Sequence, residues 1–233
     1  MTVAIAYYDS NSDKCYIGAD SCASDSINHS ICKNMKCFHP VGRRDVLIGC
    51  AGTFRLPNLL QFVPGVFPEE HALPTEKIDM AWLVNEFTPV LGALTDDFED
   101  DDVWELLVAV NKRIYRVQMD LSIVESADST DAIGIGGSVA LGAFKVLNEL
   151  KPDMPVEDRI KYALKVACDS CQGCTPPYKV VETSELPEDM EFDEPDEDTP
   201  KRGYTIIRHK KDSEEDSDKD NKKKNKKKNK RAN

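Results

Sequence analysis

The chain has 233 residues and a formal charge of −12, with 42 Asp and Glu against 30 Lys and Arg. Such a length supports one sizeable core, and the acidic balance argues against nonspecific nucleic-acid binding by the folded part. No apolar run approaches the roughly 18 residues needed to span a bilayer, and the start lacks the basic and apolar regions of an export signal. The expectation is a cytoplasmic protein, away from membranes, whose eight cysteines are reduced thiols.

Strand patterns dominate the first third, at 3–8, 14–19 and 45–50. The polar run Asp9-Ser10-Asn11-Ser12-Asp13 between the first two predicts a hairpin. A helix starts near Pro57 and carries Leu59, Leu60 and Phe62. A second covers 77–94, with Ile78, Trp82, Leu83, Phe87 and Leu91 apolar and a kink at Pro89. After an acidic loop at 96–102, strands at 103–110 and 113–119 hinge at Asn111-Lys112, and a short strand follows at 121–124. Gly136 opens a helix through 150, and Pro155 precedes another over 156–170. Strands at 178–181 and 204–208 close the series. Blocks of strands, helices, strands, helices and strands predict a layered α+β domain rather than alternating βαβ units.

One domain is expected over 1–210, with an acidic, proline-bearing loop at 184–202. Residues 211–233 hold ten Lys/Arg and six Asp/Glu and no apolar residue except Ala232, which leaves −16 on residues 1–210. Such a tail buries too little surface to offset its ordering entropy and is predicted disordered. It is either a solubilising tail or one that steers toward nucleic acid or a membrane surface.

Thr2 is the first candidate for chemistry. Once Met1 is trimmed, this residue carries a hydroxyl and a free α-amine. An amine with an ordinary pKa of about 7.7–8.0 can take the hydroxyl proton near neutral pH. Two other motifs compete for attention. Gly134-Ile135-Gly136-Gly137 has Val139 where a dinucleotide fingerprint needs its third glycine, so a helix start is the better reading. Cys168, Cys171 and Cys174 have a spacing that can hold zinc or an iron–sulfur cluster, with no obvious fourth ligand.

Thr2-Val3-Ala4-Ile5, Gly18-Ala19-Asp20-Ser21, Lys36, Gly49-Cys50-Ala51-Gly52, Ala132-Ile133-Gly134-Ile135-Gly136-Gly137 and the run from Ala163-Leu164 to Asp169 occur in an order that resembles proteasome β-type subunits and the HslV peptidase. Both belong to the N-terminal-nucleophile hydrolases, and the likeness covers about residues 2–182. It implies a four-layer αββα sandwich and a threonine-type endopeptidase, with Thr2 as nucleophile and its amine as base. The same resemblance assigns Asp20 and Lys36 as a pair beneath Thr2, Gly52 as the oxyanion-hole N–H and Asp169 as support for the amine. An ammonium held near a hydroxyl favours its ionised form, and a carboxylate fixes that ammonium. Lys33 is the local rival; Lys36 has the family's distance from Asp20. No cofactor is implied. The implied assembly is a closed homo-oligomeric ring, fed unfolded protein or peptide by an ATPase partner.

Ile135 and Gln172 stand where the family carries serines of the hydrogen-bond network around the amine. Two alternatives therefore accompany the peptidase: a ring-forming scaffold with weakened or lost catalysis, and a non-peptidase amidohydrolase using the same Thr2.

Overall fold

Why the nucleophile candidate sits where it does follows from the strands around it. In the computed structural model, which describes residues 2–24, 29–33, 36–69, 71–99 and 102–184, β1 (Ala4–Asp9) and β2 (Lys14–Ala19) form the expected hairpin. Asp9 turns it by accepting from the Ser12 backbone N–H at 3.1 Å, and Asp13 completes the turn at φ 56°. Two short strands, β3 (Cys22–Ser24) and β4 (His29–Ile31), pair with each other. Then come β5 (Cys37–Phe38), β6 (Leu47–Gly52) and α1 (Arg55–Phe62). A 3₁₀ turn at Thr75–Lys77 precedes α2 (Met80–Trp82), which continues through a π-helical Leu83–Phe87 into α3 (Thr88–Thr95). The second half holds β7 (Trp104–Val110), β8 (Arg113–Gln118), β9 (Ile123–Glu125), β10 (Thr130–Ile133), α4 (Gly137–Leu150), α5 (Val156–Ser170) and β11 (Lys179–Glu182). The predicted tail at 211–233, the strand at 204–208 and the acidic loop beyond Ser184 lie outside the described residues.

Besides the β3–β4 pair, two larger antiparallel sheets result, ordered β10-β1-β2-β11 and β5-β6-β7-β8-β9. Side chains alternate between faces along a strand, so each strand feeds two environments. On β1, Ala4 and Ala6 join Ile17, Leu47, Leu107 and Ala109 between the sheets. Val3 and Ile5 face the other way, against Phe144 of α4 and Ile160 and Leu164 of α5. On β7, Leu106, Val108 and Val110 pack with Leu60, Leu83, Phe87 and Leu91 from the first helical block. Strands buried on both faces need apolar residues at consecutive positions, which explains why 3–8 and 103–110 read as continuous apolar runs.

One charged pair links the two sheets, and a second arginine holds the loops before β6 and after α1. Arg116 of β8 grips Asp131 of β10 with its Nε at 2.9 Å and a second N–H, and donates to the Ala132 carbonyl at 2.9 Å. Arg43 is fully buried against Asp45 and the carbonyls of Pro68 (3.1 Å) and Leu73 (2.6 Å).

The predicted helix at 77–94 is present but begins at Met80 and widens into a π turn just before Pro89. Proline has no N–H for the carbonyl four residues earlier, and the widened turn relieves that loss. Strands β3, β4, β5 and β10 were not predicted; each has four residues or fewer. Among the described residues, no helix is long and apolar enough to cross a membrane.

Candidate active site

Thr2 is 3 % exposed and leads into β1, which β2 and β10 flank. The register Ala4↔Ala19 brings Asp20, the residue after β2, alongside Val3, and Asp20 N–H donates to the Val3 carbonyl at 3.2 Å. Lys36 enters from the segment before β5. Its Nζ lies 2.9 Å from Thr2 Oγ1 and 3.0 Å from Asp20 Oδ1, and the whole group is buried. Asp20 Oδ1 also accepts from Val3 N (3.0 Å), while Oδ2 accepts from Cys22 N (2.9 Å) and Thr175 N (3.3 Å). The buried carboxylate meets four donors, and the lysine it fixes donates to the threonine hydroxyl. Lys33, the rival, is exposed.

Gly52 ends β6 at φ +102°, and a β-carbon there would come within 2.0 Å of the Val103 carbonyl oxygen. Thr53 N–H donates to that oxygen at 3.0 Å, so Gly52 and Trp104 form a non-hydrogen-bonded pair in the ladder. Gly52 N–H therefore points away from β7, on the side where Cys50 N–H meets the Lys36 carbonyl at 2.8 Å. A backbone donor on the lysine's side of the strand, bare of any β-carbon, suits an approaching carbonyl oxygen.

Asp169 does not join this group among the described contacts. Its side chain is exposed near the end of α5 and pairs with Lys165 one turn back. Ile160, Ala163, Leu164 and Ala167 form the buried face of α5, which turns Lys165 and Asp169 toward solvent. Cys168 is the side chain from this helix end that senses the charges of both Asp20 and Lys36. Its thiol is held below the ordinary cysteine value by a hydrogen bond with Cys174. Cys171 instead directs its thiol to the Ile135 carbonyl at 3.8 Å, so the C-x₂-C-x₂-C run does not converge on one point. Gln172 and Ile135 are exposed.

A cleft of about 250 Å³ opens beside Thr2, lined by Ala51, Gly52, Val103, Glu105, Gly134 and Ile135 among others. Gly134, at φ +79°, passes so close that a β-carbon would fall 2.3 Å from the Thr2 carbonyl oxygen. Its N–H donates to Glu105 Oε2 at 3.2 Å. Sequence reasoning passed over Glu105; the available signal was a lone carboxylate in the apolar strand Trp-Glu-Leu-Leu-Val-Ala-Val. A larger cavity of about 720 Å³ lies at the far end of β1, around Tyr8, Asp13 and Lys112.

By sequence, the chain matches no family model and no curated protein. By structure it is similar to Thiobacillus denitrificans BPH, solved in complex with epoxomicin, at TM-score 0.63 and 18 % identity over 80 % of this chain and 100 % of that one. Anbu, an ancestral β-subunit from Yersinia bercovieri, gives TM-score 0.58 and 14 % identity over 78 % and 81 % of the two chains. HslV from Trypanosoma brucei gives TM-score 0.54 and 17 % identity over 78 % and 98 %. All three have the proteasome-like N-terminal-nucleophile-hydrolase fold, and this chain shares it.

Proposed function

We propose that this chain is a threonine-type endopeptidase that works through Thr2 as a subunit of a self-compartmentalising homo-oligomeric ring. The observation that carries the reading is the Lys36 ammonium, 2.9 Å from Thr2 Oγ1 and 3.0 Å from Asp20 Oδ1 in a buried place. Ordinary surface threonines have no such neighbour. Cutting the Met1–Thr2 bond frees the amine that completes the set. Three separate apolar cores, one between the sheets and one on each outer face, support a four-layer αββα arrangement of residues 1–210. The Lys/Asn-rich segment 211–233 is proposed as a tail outside that domain, and the ring as a cytoplasmic assembly into which an ATPase partner feeds unfolded chains.

Thr2 Oγ attacks the substrate carbonyl carbon while the α-amine takes its proton. Gly52 N–H stabilises the resulting oxyanion. The C–N bond then breaks, and the protonated amine returns its proton to the leaving nitrogen, which leaves an ester on Thr2. Water attacks the ester, gives a proton to the amine, and the acid departs as Thr2 Oγ is reprotonated. Lys36, held by Asp20, lowers the cost of the hydroxyl's ionisation throughout.

A scaffold with weak chemistry is the second reading, favoured by the exposed Asp169–Lys165 pair and by apolar Ile135 at the cleft. Intact mass, N-terminal sequencing and incubation with epoxomicin decide between them. The peptidase reading expects Met1 to be absent and one inhibitor molecule on Thr2, with none on Thr2→Ala. A retained Met1, or an unmodified Thr2 in assembled protein, sinks the peptidase and leaves the scaffold.

A further inference from the structure

We propose that Cys168 and Cys174 are a peroxide-sensitive thiol pair whose closure to a disulfide slows the chemistry at Thr2. The pair stands on the geometry at the end of α5; only its effect on Thr2 rests on the reading of that residue as nucleophile.

The chain brings the two sulfurs together in one turn. Helix α5 ends with Cys171 N–H on the Ala167 carbonyl at 2.9 Å, and Gly173, at φ +83°, sends the backbone back toward the helix. Glycine adopts such a φ without strain. Cys174 then packs with Val3, Ala163, Leu164 and Ala167, and Cys168 lies against the same cluster. The two thiols are hydrogen-bonded to each other, and neither is in a disulfide. Cys171 turns its own thiol to the Ile135 carbonyl and does not compete.

The pair has an attacking and a resolving member. Cys168 is half-buried and open to a small oxidant, while Cys174 is buried. The Cys174 thiol and the Tyr178 hydroxyl both donate to the Cys168 sulfur, which favours its thiolate. The hydrogen bond to Cys168, and then burial, hold the Cys174 thiol well above its ordinary value, so Cys174 keeps its proton while Cys168 is reduced.

The Cys168 thiolate attacks hydrogen peroxide, takes one oxygen as a sulfenic acid and releases hydroxide, which solvent protonates to water. The Cys174 sulfur then displaces the sulfenic oxygen. An S–S bond forms, the S–O bond breaks, and the Cys174 proton leaves with that oxygen as a second water. Two thiols are oxidised to one disulfide, and one peroxide is reduced to two waters.

The loop that carries Cys174 also holds Asp20. Thr175 N–H donates to Asp20 Oδ2 at 3.3 Å, the longest of the four hydrogen bonds to that carboxylate. Disulfide sulfurs lie about 2.05 Å apart, well inside hydrogen-bonding contact. Closing the bond draws Cys174 toward α5, and Thr175 N–H, one residue on, moves with it. Asp20 then loses its weakest donor, and the lysine that it fixes beside Thr2 Oγ1 is held less firmly.

The test treats the full chain, reduced and assembled, with hydrogen peroxide, then alkylates the remaining thiols in denaturant and maps the peptides. A Cys168–Cys174 bond should appear, with two fewer alkylated thiols than the eight of the reduced chain, and dithiothreitol should reverse it. Cys168→Ala should abolish the bond, and Cys171→Ser should leave it unchanged. No disulfide in the unmutated chain, or one in which Cys171 replaces either partner, overturns the pair. Epoxomicin should modify Thr2 at least about threefold more slowly in the oxidised protein, the loss expected of one hydrogen bond. In Cys168→Ala, peroxide should leave that rate unchanged. Equal rates for the reduced and oxidised unmutated protein overturn the coupling to Thr2. Failure of epoxomicin to modify even the reduced protein overturns the nucleophile reading and the coupling with it, while the peptide map still decides the pair.

Discussion

Asp20 and Lys36 meet at 3.0 Å with neither side chain more than 3 % exposed, yet the two are not equally dependent on each other. Asp20 keeps three backbone N–H donors, from Val3, Cys22 and Thr175, when the lysine is taken away. Taking the aspartate away removes the acceptor of all three backbone N–H groups as well as the lysine's carboxylate. Breaking a buried pair costs about 3–5 kcal/mol, and each buried donor left without an acceptor adds to the loss. Asp20→Ala should therefore destabilise by that amount or more, and Lys36→Met by distinctly less. Urea denaturation of both variants checks the order; equal losses would show that the backbone donors do not hold the carboxylate.

The proposed peptidase activity should respond differently from stability. Lys36→Met leaves the threonine hydroxyl without its ammonium, and Thr2→Ala removes the attacking oxygen. Loss of a covalent nucleophile can cost up to about a millionfold in kcat. Both variants should be inactive on a fluorogenic peptide while keeping their assembly by light scattering, and residual turnover of Thr2→Ala above a small fraction contradicts the mechanism.

Gly52→Ala should fail in both respects. The new methyl meets the Val103 carbonyl oxygen at 2.0 Å, in a backbone conformation that L side chains rarely adopt. Strain of this type costs about 1–3 kcal/mol before the clash is counted. Thermal melting should drop by several degrees, and an unaffected melting temperature would show that the end of β6 relaxes freely.

The thiols should separate by reactivity. Burial pushes Cys15 and Cys37 up to about 12 and Cys50 well above its ordinary value. Cys168 is half-buried, with its thiol held lower by Cys174. Brief treatment with iodoacetamide followed by peptide mapping should find Cys168 alkylated well before Cys15, Cys37 or Cys50.

His39 gives stability a pH dependence in the mildly acidic range. Burial holds the ring below its ordinary pKa, the nearby Arg44 adds to the effect, and its Nδ1 lies 3.0 Å from the Val46 carbonyl oxygen. The unfolded chain binds a proton at about 6.5, whereas the folded chain takes it only at lower pH. The contribution is therefore complete above about 6.5 and is lost as pH falls through the lower folded value. The urea midpoint should decline between pH 7 and 5, and His39→Gln should flatten that part of the decline.

Much of this architecture was legible because strands buried on both faces carry consecutive apolar residues, as in 103–110. The pair formed by Asp20 and Lys36 was legible through the family resemblance, whose spacing set Lys36 above Lys33. Strand β10 was not, because Thr130-Asp131-Ala132-Ile133 has little apolar pattern and depends on partners more than a hundred residues away. The direction of Asp169 was equally hidden: one position separates it from Cys168, and only the packing of α5 decides which of the two turns inward. Glu105 was missed for a similar reason, since a charge in an apolar strand acquires meaning only when the neighbouring glycine loop is in place.

Sheet topology also sets a timetable. In the first sheet, β1 waits for β10 and β2 waits for β11, with pairings as distant as Ala4↔Ile133 and Ala19↔Lys179. Between emergence of β2 and β11 lie about 160 residues, roughly 10–30 s of synthesis at 5–20 residues per second. Until β10, α4 and α5 emerge the first hairpin has neither edge closed and no helix on its apolar face, and the β2 edge stays open until β11 follows. Such long-range closure is slow and leaves unpaired edges open to misassociation. Thr2 is thus translated well before the strands and helices that order it, and a holdase acting early on the nascent chain should raise the yield of folded protein more than one added after release.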